Sequence, residues 1–170
     1  MENEKQPDRT LEAFKRLVRH SRGALWWVRN DFLKAHQPQF NQRDTHIGHP
    51  ALSVLSTPLE ERGNEVPMLT GTSGDSLSGK RRAACVMVTG MTANDPQHLT
   101  YFGSIVEPAT YTAEDLLDAV NRKPDIHDGK HGLYRDAWHV HRTMTPNWDK
   151  PTVDERERAD LDRFCELHHL

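Results

Sequence analysis

Short runs of strand-forming residues, separated by turn residues, constrain the fold of this chain more than any other feature. The five runs are ALWWV (24–28), ALSVLS (51–56), VPMLTG (66–71), AACVMVTGM (83–91) and LTYFGSIV (99–106). Apolar, β-branched and aromatic residues bounded by glycine, proline, asparagine or aspartate are typical of β-strands. The last two runs flank the turn TANDPQH and therefore predict a hairpin.

Helical signals lie at both ends of the chain and after the fifth strand. Apolar residues at helical spacing predict a helix over residues 8–20. Thr112 and Asp115 resemble a capping box that begins a helix over 113–121. TVDE (152–155) resembles a second capping box, from which a final helix runs almost to the C-terminus.

Together these elements predict a β-rich α+β fold around a small, barrel-like sheet of five to six strands. AWHVH (137–141) is the candidate sixth strand. We expect an N-terminal helical extension (1–21), a barrel domain (22–121), and a C-terminal extension (122–170) whose helix packs on the barrel.

Composition favours a cytoplasmic protein. The chain has two cysteines, so a disulfide framework is not expected. No apolar run is long enough to span a membrane, and the polar N-terminus lacks the features of a signal peptide. Residues 9–43 carry eight basic and two acidic side chains, which suit an anionic partner such as nucleic acid. A solvated helix and loop account for the same charge.

The order of the motifs resembles that of the MazF/PemK-like toxin family. RGALWWV, a long loop, GHPALSVLS, VPMLTGTSG and YFGSIVEPATYTAEDLL follow one another over roughly residues 22–120. Members of that family have a tryptophan-containing first strand and an Arg-Pro before the second strand. Their third strand ends in Thr or Ser, and a later segment leads into a helix.

The resemblance implies an SH3-like barrel, often a homodimer, that cleaves single-stranded RNA without a metal or other cofactor and is inhibited by a cognate antitoxin protein. It further implies that the family's arginine corresponds to His49 and its threonine to Thr70, the two candidate catalytic residues. Arginine carries a permanent charge and a planar fork of donors, whereas histidine exchanges a proton near neutral pH. His49 therefore either acts as an acid or base, or marks reduced or lost activity.

Antiparallel pairing of the second and third strands would bring His49 and Thr70 to the same end of the sheet. The glycine-rich loop that follows could carry further groups to a phosphate. The candidate substrate-binding residues are Trp26, Thr72, Ser73, Lys80, Arg81 and Arg82. Side chains alternate along a strand, so Trp26 and Trp27 should face opposite sides, one in the core and one available for base stacking.

Two other functions remain open from the sequence. The first is a non-catalytic RNA- or protein-binding module on the same barrel, favoured by the histidine in place of arginine. The second is a structural, metal-stabilised protein. Its candidate ligands are His139, His141, Cys165, His168 and His169, and they would have to meet in space.

Overall fold

The structure, a computed structural model, describes residues 22–29, 48–55, 63–75, 77–91, 95–116, 144–147 and 149–170. These residues form a β-rich α+β fold with seven strands and a C-terminal helix. The strands are β1 (Leu25–Arg29), β2 (Gly48–Ser53), β3 (Glu65–Thr72), β4 (Val86–Thr89), β5 (Leu99–Phe102), β6 (Ala109–Thr112) and β7 (Met144–Pro146). The helices are α1 (Gly79–Ala83) and α2 (Glu155–His168). Residues 113–116 form a further helical turn.

The strands form one antiparallel sheet in the order β4-β5-β3-β2-β1-β7, with β6 also paired to β3. The long strand β3 belongs to both halves of the sheet. One half is formed by β3, β4 and β5, and the other by β1, β2, β3, β6 and β7. Its residues 65–68 pair with β6, and Gly71 and Thr72 pair with β5. Within the described residues β4 and β7 are the two ends of this path.

Glycine at position 71 allows the two halves of the sheet to approach closely. A Cβ atom there would lie 2.6 Å from the Phe102 ring and 2.9 Å from Cγ of Pro50. Real Cβ atoms do not come so near, so any larger residue would push β2 or β5 away from β3.

The sheet buries apolar side chains on both faces. The first cluster contains Trp26, Val28, Ala51, Leu55, Val66, Met68, Ala109, Tyr111, Ala113 and Leu116. The second contains Leu25, Leu52, Val54, Leu69, Val86, Val88, Met91, Phe102, Leu161, Phe164 and Cys165. The second cluster joins both halves of the sheet to α2, because it draws residues from β1 through β5 and from the helix.

A true capping box begins α2. The Asp154 carboxylate accepts from the Glu157 N–H at 2.8 Å, and the Glu157 carboxylate accepts from the Asp154 N–H at 3.0 Å. Asp154 and Glu157 thus satisfy two of the helix's orphan N–H groups, as this motif requires. The helix begins two residues later than the TVDE pattern predicts.

Glu157 also binds the end of β4, together with Lys150. The Glu157 side chain accepts from the Thr89 N–H at 2.9 Å and pairs with Lys150 Nζ at 2.9 Å. Lys150 Nζ in turn donates to the Thr89 carbonyl oxygen. We call this group, the two side chains and the Thr89 peptide groups, the Thr89 clamp. It occupies backbone groups that a neighbouring strand would otherwise take.

A second ionic contact ties α2 to the residues just before β1. Asp162 accepts from Arg22 at 3.0 Å and from Arg158 at 3.2 Å. Partial burial opposes ionisation of the carboxyl group, but the two arginines outweigh it and lower the pKa of Asp162. The carboxylate is half-exposed, so we expect a modest contribution to stability.

The five predicted strands and the final helix are confirmed, with shifted ends. The fourth strand was predicted from residue 83 but begins at Val86, because α1 occupies 79–83. β6 and β7 were not predicted. The Thr112–Asp115 cap is present, with the Asp115 N–H donating to Thr112 Oγ1 at 3.1 Å.

Other predictions lie outside the described residues: the extension 1–21 with its helix over 8–20, the end of the helix over 113–121, and the strand at 137–141. Closure of the sheet into an SH3-like barrel stays a prediction. In the part of the chain that the structure describes, no helix is both long and apolar enough to cross a membrane.

Candidate functional site

His49 and Thr70 lie at the same end of the β2–β3 pair and on the same face. Ala51 is the register partner of Thr70, and His49 precedes Ala51 by two residues in the same strand. Residues two apart in a strand point to the same face, so both side chains project on the side of the first cluster. His49 is also the register partner of Val28 in β1, a member of that cluster.

Both candidate catalytic side chains are largely buried. His49 is 8 % exposed and Thr70 is 7 % exposed. Their surroundings are therefore less polar than water, which strengthens any hydrogen bond or charge interaction that they make. Only a small part of each side chain is accessible to a large substrate.

Thr72 and Tyr101 extend this polar end of the sheet. They are register partners across β3 and β5, and Thr72 follows Thr70 by two residues on the same face. Continuing the β2–β3 register by two residues sets His49 beside Thr72, in agreement with the contact position of Pro50 against Gly71. We define the rim as His49, Thr70, Thr72 and Tyr101.

The predicted flexible loop after β3 contains a short helix. Ser78 caps α1, its hydroxyl accepting from the Arg81 N–H at 3.2 Å. Serine is a preferred N-cap because its side chain replaces a missing backbone acceptor. All three cations of the run, Lys80, Arg81 and Arg82, are exposed, and so is Ser73. The three cations thus form a positively charged surface beyond the end of β3.

The two tryptophans of β1 face opposite sides of the sheet, as predicted. Trp26 belongs to the first cluster and is 7 % exposed, whereas Trp27 is partly buried against the second cluster. Trp26 was the predicted base-stacking residue, and here its ring packs in the core. Its indole Nε1 is buried and has no hydrogen-bond acceptor among the described residues.

The candidate metal ligands do not converge in the described part of the chain. No group of three or more His, Cys, Asp or Glu side chains there could hold a metal ion. His139 and His141 lie outside the described residues. Burial raises the pKa of the Cys165 thiol, so this side chain remains protonated at neutral pH.

Tyr101 is the rim residue that the motifs did not identify. Its partner strand β3 lies about thirty residues away in the chain, and no turn signal links the two strands. The motifs predicted the strand that contains Tyr101 and its hairpin with the fourth strand, but not its pairing with β3.

Comparison with protein-family models, with curated proteins and with solved structures found no match to this chain. Function is therefore inferred from the geometry of the described residues and from the sequence motifs.

Chemically, the rim combines a proton-exchanging imidazole with three hydroxyl groups beside a cationic surface. Hydroxyls donate hydrogen bonds to phosphate oxygens, and guanidinium groups bind phosphates through a planar fork of donors. Such a set suits an anionic phosphodiester better than a neutral or cationic substrate.

Proposed function

We propose that this protein is a metal-independent endoribonuclease, similar to the MazF/PemK-like toxins, acting on single-stranded RNA. The observation that carries the proposal is the register of β2 and β3, which sets His49 and Thr70 at one end and on one face of the sheet. The shared strand β3 and the second cluster, which spans both halves of the sheet, support closure into a small barrel.

In the proposed reaction the 2′-oxygen attacks the adjacent phosphorus. The O2′–P bond forms, the P–O5′ bond breaks, and the 2′ proton leaves to a base while the 5′ oxygen gains a proton. The products are a 2′,3′-cyclic phosphate and a 5′-hydroxyl. His49 exchanges one of these protons, and Thr70 donates a hydrogen bond to a phosphate oxygen.

The test is incubation of the purified protein with single-stranded RNA in EDTA, from about pH 5.5 to about pH 8, the range in which histidine changes charge. We expect cleavage with cyclic phosphate ends. Thr70→Val removes the hydroxyl at nearly constant volume and should slow cleavage about 10²–10³-fold, as loss of an aimed donor does. Thr70→Ser keeps the hydroxyl and should retain most activity.

His49→Gln should slow cleavage about 10²–10⁴-fold and remove its pH dependence in this range. The matched control is His98→Gln, because His98 is exposed in a turn. Intact RNA with folded wild-type protein at every pH would refute the proposed activity.

A second candidate is a non-catalytic RNA- or protein-binding module on the same fold. The low exposure of His49 and Thr70, 8 % and 7 %, favours it, because attack at a scissile phosphate needs room around both groups. RNA binding that survives His49→Gln and Thr70→Val, without cleavage by the wild type, would establish this alternative.

The resemblance extends the proposal to partners and compartment. We propose a homodimer in the cytoplasm that a cognate antitoxin protein inhibits. Sedimentation of the purified protein tests the dimer, and a monomer at micromolar concentration would refute it.

A further inference from the structure

Arg81 and Arg82 of α1 have different surroundings, although they are adjacent in sequence. The Arg81 guanidinium donates from Nη2 to the carbonyl oxygen of Ser104 at 2.9 Å. The Arg81 backbone carbonyl accepts from the Ala84 N–H and from the Cys85 thiol. Arg81 thus holds α1 against the segment after β5, which leaves its guanidinium engaged within the protein.

Arg82 instead lies against the loop that leaves the rim. Its Cδ is 3.5 Å from the position that a Cβ on Gly74 would occupy. Two ring atoms of Tyr101, Cδ2 and Cε2, lie 2.6 Å from the same position. Gly74 has a φ of +88°, which glycine adopts readily, and the absence of a side chain leaves room for both the Tyr101 ring and the Arg82 stem beside it.

This contact places Arg82 next to the rim. Tyr101 pairs with Thr72, and the Gly74 N–H donates to Thr72 Oγ1 at 3.5 Å. The Arg82 side chain is exposed, and no described residue forms an ion pair or hydrogen bond with its guanidinium. A guanidinium in this position retains its full set of donors for an incoming anion.

We propose that Arg82 is an RNA phosphate ligand on α1, positioned beside Tyr101 at Gly74, and that Arg81 is a structural anchor. This assignment rests on the proposed RNA function but not on catalysis, because a non-catalytic RNA-binding module would use the same contact. It divides roles between two arginines that the sequence leaves equivalent.

The experiment measures binding of a fluorescein-labelled, single-stranded 2′-O-methyl RNA pool, whose blocked 2′-oxygen prevents cleavage. Fluorescence anisotropy is recorded from about 50 to about 200 mM NaCl, a range in which phosphate contacts dominate the salt dependence. The variants are Arg82→Gln, Arg82→Lys and Arg81→Gln. Arg156→Gln is the charge control, because Arg156 is exposed on α2.

Arg82→Gln should weaken binding roughly tenfold, the loss expected for a charged hydrogen bond. It should also reduce the slope of log affinity against log salt by about 0.7, the value for one phosphate contact on a single strand. Arg82→Lys should keep the slope, since the charge remains. Arg81→Gln and Arg156→Gln should leave the slope unchanged, and Arg81→Gln should lower the melting temperature.

Two results would overturn the assignment, and they differ. If the wild type binds RNA and Arg82→Gln keeps the wild-type slope, Arg82 is not the ligand while the RNA function stands. If the wild type binds no RNA at about 50 mM salt, the RNA function and the assignment fail together. Circular dichroism of each variant confirms that it is folded.

Discussion

The Thr89 clamp should contribute more to stability than any exposed ion pair of α2. Glu157→Ala removes the carboxylate that accepts from the Thr89 and Asp154 N–H groups and that pairs with Lys150. It leaves the Lys150 side chain, which is mostly buried (18 % exposed), without its counter-charge. Removing one partner of a buried pair costs about 3–5 kcal/mol. The remaining exposure of Lys150 favours the lower end, about 3 kcal/mol.

Chemical denaturation followed by tryptophan fluorescence measures this loss. In a domain of this size about 3 kcal/mol corresponds to a fall in melting temperature of roughly 6–12 °C. The matched control is Glu155→Ala, an exposed glutamate in the same helical turn, for which we expect less than about 1 kcal/mol. Lys150→Ala, Glu157→Ala and the double variant complete a double-mutant cycle, whose coupling energy measures the interaction between the two side chains.

Amide exchange supplies a second readout. The Thr89 N–H should exchange much faster in Glu157→Ala, because its acceptor is lost. A free-energy loss no larger than that of Glu155→Ala, or unchanged exchange at Thr89, would show that the clamp does not stabilise the end of β4.

Three further predictions concern α2 and the glycines. Gly103→Ala should destabilise the protein by more than about 2 kcal/mol, because φ is +100° and a Cβ would lie 2.5 Å from the Phe164 ring. The control Gly63→Ala, at φ +64° with open space around it, should cost about 1–2 kcal/mol, and equal losses of unfolding free energy for the two variants would contradict the packing argument. The two arginines lower the pKa of Asp162 in the folded state, so its stabilising contribution should be complete above the ordinary value of 3.8 and be lost as pH falls through the folded value. Asp162→Asn should therefore lose stability near pH 6 and progressively less as the pH falls below 3.8, and a pH-independent loss would count against the ion pair. The buried Cys165 thiol should resist a thiol reagent at pH 7 until the protein unfolds, and rapid labelling of Cys165 in the native protein would refute its burial.

Local patterns predicted those elements whose stability depends on their own sequence. Alternation and turn residues identified the first five strands, and the acidic capping pattern identified α2 to within two residues. β7 was missed because MTP is three residues long and pairs with β1, which lies more than a hundred residues earlier in the chain. β6 was missed because ATYT runs directly into the Thr112 cap, which obscured its alternation.

The candidate site shows the same limit. The sequence could predict that His49 and Thr70 lie at the same end of the sheet, because this needs only one antiparallel pairing between strands that follow one another in the chain. The place of Tyr101 beside Thr72 depends on a pairing between strands that do not follow one another in the chain. The difference between Arg81 and Arg82 depends on the fold of the loop between them and β3, where Ser78 and Gly74 act through geometry rather than through pattern.

The membership of β3 in both halves of the sheet has a consequence for how the molecule opens. Neither half can separate and reclose on its own, since each would have to leave behind the strand on which the other depends. Hydrogen exchange in the middle of β3 should therefore report the global unfolding equilibrium. A destabilising substitution at Gly71 should accelerate amide exchange in β6 as much as in β5.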